Sequence, residues 1–161
     1  MSPRDLYFAS YHQAAHVVSA LVFGCRIEYV EIGNTVDKIG WNLDSASVGD
    51  AEAVCCAGFE MEMILGRRQD LSWSRSGSDR ALLETIHSER MGETLTSAEL
   101  DALFTASAKS SRTVLEHAAV RHAIDELAEH LSEAYLRGDR RVEAADLTGI
   151  AALITGVAPR A

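Results

Sequence analysis

Between Thr96 and Leu136 the chain runs about forty residues without a proline or a glycine, and no other feature limits the fold as strongly. The two residues that most readily end a helix are absent. Apolar residues recur at Leu100, Leu103, Phe104, Val114, Leu115, Ala118, Ile124, Leu127, Leu131 and Tyr135, the spacing of a helix that buries one face. Thr96-Ser97-Ala98-Glu99 has the form of a capping box at the start, and Gly138 supplies a stop. Forty residues exceed an ordinary globular helix, so a break is expected near Ser107–Ser111.

The rest of the chain divides by the same signals. Ser2 as N-cap, Pro3 at the first helical position and Asp5 three residues after the cap start a helix that should reach about Phe23, with Gly24 as its C-terminal cap. Arg26–Ile32 is rich in β-branched and aromatic residues and reads as a strand, with Gly33-Asn34 as its turn. Ile39–Leu43 reads as a shorter second strand. A second helix is expected from Gly49 to Leu65, a polar loop from Arg67 to Gly77, a third helix from Ser78 to Arg90, and a last one from Glu143 to Leu153. No repeat, low-complexity tract or linker interrupts this order. The expected fold class is α+β, mainly α-helical: one domain of 161 residues, with a small sheet near the front and helices behind. A metal-bearing part would occupy about residues 1–90 and a C-terminal helical part about residues 91–161.

The formal charge is −9, from 24 acidic and 15 basic residues, and the only lysines are Lys38 and Lys109. No basic run exceeds two residues, which excludes a dedicated nucleic-acid binder, since that needs clustered cations. The three cysteines form no CxxC pair or disulfide framework, so reduced, buried thiols and a cytoplasmic location are expected. No apolar run reaches the ~18 residues of a membrane span. The N-terminus lacks the apolar core of a signal peptide, so the chain is expected to be soluble and complete from its first residues.

The residues that carry chemistry lie in Tyr11-His12-Gln13-Ala14-Ala15-His16, inside the first helix. His12 and His16 are one turn apart on the same face, ~6 Å between Cβ atoms. Two imidazoles so placed can grip one Zn²⁺ at ~2.0–2.1 Å each. In the HExxH pattern the residue after the first histidine is the glutamate that serves as general base; here it is Gln13. An HxxxH pair alone is a weak signal. Small apolar flanks, the strand that follows and an available oxygen ligand in Asp79 strengthen it. The other histidines, His87, His117, His122 and His130, read as solvated or partly packed.

Taken together, these segments resemble the peptidase domain of FtsH-type zinc proteases. Tyr11-His12-Gln13-Ala14-Ala15-His16-Val17-Val18 is similar to that family's YHEAGHALV. Ile27–Ile32 followed by Ile39-Gly40-Trp41 resembles its strand pair, Ala57-Gly58-Phe59-Glu60-Met61-Glu62 its GGRxAE helix, and Ser76-Gly77-Ser78-Asp79 its TGASND segment. Val114–His117, Ile124–Leu131 and Glu143–Leu147 resemble its C-terminal helices. The resemblance implies His12, His16 and Asp79 as zinc ligands with a fourth position left to water. It implies a polypeptide substrate lying as an added strand along Gly40, Trp41 and Asn42. Glu60 or Glu62 is a candidate to orient a ligating histidine, and Trp41 and Trp73 fall near the groove. Hexameric rings in the family suggest a homo-oligomer.

Two departures qualify this. An amide accepts no proton near neutral pH, and loss of a positioned base costs ~10²–10⁴-fold, so the chain is expected to be nearly inactive at Gln13. No GxxxxGK[ST] loop occurs, so ATP-driven unfolding would need an ATPase partner in trans, or the substrates are already flexible. The residues leave open a zinc endopeptidase blocked at Gln13, an inactive zinc-bearing module that binds peptides or regulates a protease, and a purely structural domain.

Overall fold

A computed structural model describes residues 1–34, 36–67 and 74–157, the side chains of 74–77 excepted. Its elements in chain order are α1 (Pro3–Val22), β1 (Arg26–Glu31), β2 (Lys38–Asn42), α2 (Val48–Cys55), α3 (Ala57–Ile64), α4 (Ser74–Met91), α5 (Ser97–Leu115), α6 (Ala118–Arg137), β3 (Arg141–Glu143), a 3-10 turn (Ala144–Leu147) and α7 (Thr148–Leu153). The class is α+β and mainly helical. The sheet is antiparallel, with strand order β2-β1-β3.

Helix α1 is the structural axis. Its residues are buried on every side, from Leu6 through Ala14, Ala15, Val17 and Val18 to Val22, as expected of a helix without a polar face. It packs on α6 on one side and α3 on the other. Ser2 caps it: its hydroxyl oxygen accepts the Asp5 N–H at 3.1 Å and the hydroxyl donates to Asp5 Oδ2 at 2.6 Å. That arrangement satisfies one of the first-turn donors of the helix.

The long C-terminal pattern forms two helices rather than one. Thr96 and Glu99 make the complete capping box at the start of α5. The chain breaks at Glu116-His117, later than the expected Ser107–Ser111, because His117 Nδ1 accepts the Ala119 N–H at 3.2 Å and starts α6 as its N-cap. Gly138 ends α6 at φ 90°, a left-handed conformation that favours glycine. Most of the expected apolar stripe is core: Leu115, Ile124 and Leu127 are 0% exposed and Leu131 2%, whereas Leu103, Val114 and Tyr135 are half-buried and Ala118 is exposed.

Three other boundaries differ from expectation. The helix expected over 49–65 is split at Cys56 into α2 and α3. Helix α4 begins at Ser74, before the expected Ser78. The last expected helix is shorter, because Glu143 belongs to β3 and Ala144–Leu147 is a 3-10 turn, which leaves Thr148–Leu153. In β1 the register shifts between Ile27 and Tyr29, and Gly40 lies opposite Tyr29. A Cβ at Gly40 would stand 2.4 Å from the Tyr29 ring, so the close approach of that ring requires glycine there. Among the described residues no helix is long and apolar enough to cross a membrane.

Candidate metal centre

The two histidines of α1 meet Asp79 of α4 inside the protein. His12, His16 and Asp79 are 3%, 3% and 2% exposed. His12 Nε2 and His16 Nε2 are 3.1 Å apart, and each faces Asp79 Oδ1, at 3.0 and 3.1 Å. These three atoms form a nearly equilateral triangle drawn from two elements far apart in sequence.

The other nitrogen of each ring is held separately. His16 Nδ1 lies 2.7 Å from the carbonyl oxygen of Val54. A carbonyl can only accept, so Nδ1 carries the proton and Nε2 of the neutral ring presents a lone pair to the cluster. His12 Nδ1 lies 2.7 Å from Glu62 Oε1, and the same logic applies with an ionised carboxylate. Asp79 is oriented by its second oxygen, which accepts the Phe59 N–H at 2.8 Å. Glu62 also lies 3.4 Å from Arg67 Nη1, and that guanidinium sits over the Phe8 ring.

Three electron-pair donors thus converge on one point with their protons turned away. Such an arrangement demands a positive charge at its centre, supplied by a proton or a metal ion. Burial pushes the His12 pKa down, but the Asp79 and Glu62 carboxylates beside it outweigh burial and raise it from 6.5 to about 10. Burial opposes ionisation of Asp79, yet the two imidazoles hold its carboxyl well below the usual carboxylate range. The donor set also suits an ion. Ligands held ~2.0–2.1 Å from a tetrahedral centre stand about 3.3 Å apart, close to the observed edges. The space beside the ring nitrogens depends on Gly58, since a Cβ there would stand 2.4 Å from His12 Nε2 and 2.5 Å from His16 Nε2. His12, His16 and Asp79 form a buried group able to hold a metal ion.

The remaining expected site residues fall around this group. Gln13 is 7% exposed, and its Nε2 donates to Asp37 Oδ2 at 3.4 Å. Trp41 stands edge-on to His16, with ring centroids 5.9 Å apart. Gly40, Trp41 and Asn42 all lie on β2, an outer strand of the sheet. Asn42 is exposed and its Oδ1 accepts the Asp44 N–H at 2.8 Å, a turn contact. Of the two glutamates weighed for orienting a histidine, Glu62 touches one, whereas Glu60 pairs with Arg112. Trp73 lies outside the described residues. His87 is bound more firmly than its sequence context suggests, with Nδ1 2.6 Å from Glu52 Oε1.

Sequence reasoning missed the Val54 carbonyl, the Phe59 amide and Asp37. The first two are backbone groups, which no side-chain motif reports. Asp37 follows Gly33-Asn34, and its position beside Gln13 is visible only in the folded chain, where β2 has turned back along β1. No family model matches the chain, and no curated protein matches it.

Proposed function

We propose that this protein is a zinc-dependent endopeptidase domain of the FtsH type that acts on unfolded or flexible polypeptides, with its chemistry severely weakened at Gln13. The observation that carries the reading is the buried triangle of His12 Nε2, His16 Nε2 and Asp79 Oδ1, with both Nδ1 atoms already engaged. Two histidines and one carboxylate leave a fourth position free, which distinguishes catalytic from structural zinc sites. A zinc ion held there would polarise a carbonyl and activate a water for attack on it.

The chain's own residues define the remainder of the reading. Glu62 and the Val54 carbonyl fix the ring planes of His12 and His16. Among the described residues the outer edge of β2 pairs with no further strand, and an extended polypeptide can add there beside Trp41. Main-chain pairing of that kind tolerates many sequences, which fits a substrate class defined by flexibility. Gln13 keeps the length of a glutamate but holds no acceptable proton site, and that favours a second reading, a zinc-bearing module that binds peptides without cleaving them.

Elemental analysis of protein purified without chelator should find one Zn²⁺ per chain, reduced in Asp79→Ala. Gln13→Glu should raise chelator-sensitive cleavage of an unfolded casein by at least ~10²-fold, without added ATP. A Gln13→Glu protein that folds, binds zinc and cleaves nothing would leave the peptide-binding reading in its place. Absence of any zinc would remove both.

A further inference from the structure

The weak point of the site is the missing proton acceptor at position 13, yet a carboxylate stands next to that position. We propose that Asp37 is the general base of this site, acting from the turn before β2 in place of a carboxylate at position 13; the inference rests on the hydrolytic reading above. Gln13 Nε2 donates to Asp37 Oδ2 at 3.4 Å. Glutamine and glutamate have the same length, so Asp37 Oδ2 lies one hydrogen bond from where a glutamate oxygen at residue 13 would be. The interaction has a direction: the amide donates, and the carboxylate keeps its accepting character.

Three features place Asp37 where the reaction needs it. Gln13 and His16 are three residues apart on α1 and are neighbours on its surface. Asp37 touches the first and the Trp41 ring stands against the second, so side chains from residues 37 and 41 both reach the stretch of α1 that carries the two histidines. The carboxylate is also positioned by its own turn, because Asp37 Oδ1 accepts the Gly33 N–H at 3.0 Å and Oδ2 is the oxygen turned to Gln13. Finally, Asp37 is half-buried, unlike the enclosed Asp79, and water reaches it.

The step balances as an ordinary hydrolysis. Asp37 Oδ2 takes one proton from a water, and the oxygen of that water bonds to the scissile carbonyl carbon. As the carbon–nitrogen bond breaks, the Asp37 carboxyl passes its proton to the departing nitrogen. The products are a carboxylic acid and an amine, and Asp37 returns to its ionised form. Gln13 takes no proton at any point. It positions the base and is a positioning residue.

The test uses the full chain loaded with zinc and an unfolded casein, comparing wild type, Asp37→Asn, Gln13→Glu and the double variant. Asparagine keeps an oxygen for the Gly33 N–H, and zinc content and circular dichroism establish that each protein retains its fold. Wild type should show slow, chelator-sensitive cleavage, and Asp37→Asn should lose it by at least ~10²-fold. The double variant should match Gln13→Glu, because a base at residue 13 makes Asp37 dispensable. A second readout avoids turnover. In the cobalt-loaded chain, Asp37→Asn should move the midpoint of the pH-dependent visible spectrum to lower pH, because a negative charge beside the bound solvent is lost. Wild-type cleavage unchanged in Asp37→Asn, an unmoved cobalt midpoint, or a wild type that is inert while Gln13→Glu is active would each overturn the assignment and leave the endopeptidase reading intact. Inert wild type and inert Gln13→Glu would overturn both.

Discussion

The ring of His16 is tied by a 2.7 Å hydrogen bond to the carbonyl of Val54, in the last turn of α2. The carbonyls in the last turn of a helix lack an intrahelical donor. Val54 lies in that turn; its oxygen takes a cap N–H and has a second lone pair for the His16 ring. The Val54 carbonyl therefore settles which nitrogen of His16 faces Asp79.

Glu62 does the same for His12 through a side chain, which makes it open to mutation. Glu62→Gln keeps the shape but presents a weaker and neutral partner. Zinc affinity, read by competition with a chromogenic chelator, should fall ~10–100-fold while helical content is unchanged. Unchanged affinity would show that the His12 ring is held by packing alone.

Gly58 is predicted to be intolerant of even one added carbon. In Gly58→Ala the new methyl would stand 2.4 Å from His12 Nε2 and 2.5 Å from His16 Nε2. The rings must rotate away, and metal binding should be lost although alanine favours the helix in which residue 58 lies. Full zinc occupancy in the alanine variant would mean that α3 can shift away from α1 without cost.

The metal-free protein should have a stability plateau in mildly acidic solution. The Asp79 carboxyl is held below its ordinary value of 3.8, so its contribution is present above that value and is lost as pH falls beneath it. His12 is raised from 6.5 to about 10, so its contribution is complete below 6.5 and is lost as pH climbs toward about 10. Melting temperatures of chelated protein should therefore be highest between about pH 4 and 6.5. Asp79→Asn should remove the acid limb and shrink the alkaline one, which Glu62 still sustains through its own contact with His12. A melting temperature that rises steadily from pH 6.5 to 10 would contradict this.

All three thiols should be inert in the native protein. Cys25, Cys55 and Cys56 are unpaired in disulfides and buried. Burial, and after it the Asp79 carboxylate, pushes the thiols of Cys55 and Cys56 above their ordinary range, so little thiolate forms at neutral pH. Maleimide labelling followed by mass spectrometry should find these two unmodified under native conditions and modified after denaturation. Rapid native labelling of either would mean that the layer between α2 and α5 opens.

How much of this was legible in the sequence depended on whether the signal was local. The histidine pair, the caps at Ser2 and Thr96 and the buried stripe through Leu115, Leu127 and Leu131 follow from spacing within one helix. The break at Cys56 has no proline or glycine to announce it. Strand β3 has a single apolar residue, Val142, between charged neighbours, and three residues carry no alternation to read. It exists because Val142 finds Val30 across the sheet. The contacts of Val54, Phe59 and Asp37 are long-range, and only the folded chain brings them to the histidines.

The placement of α1 between α3 and α6 has a consequence for any attempt to shorten the protein. All the groups around the proposed ion come from the first 79 residues, so a fragment ending at the glycine after α4 would contain every one of them. It would nevertheless strip α6 from the reverse side of the helix that carries both histidines, and take β3 from the sheet. The half that holds the histidine–aspartate group is not a separate unit in this architecture. Its back wall is built from the other end of the chain.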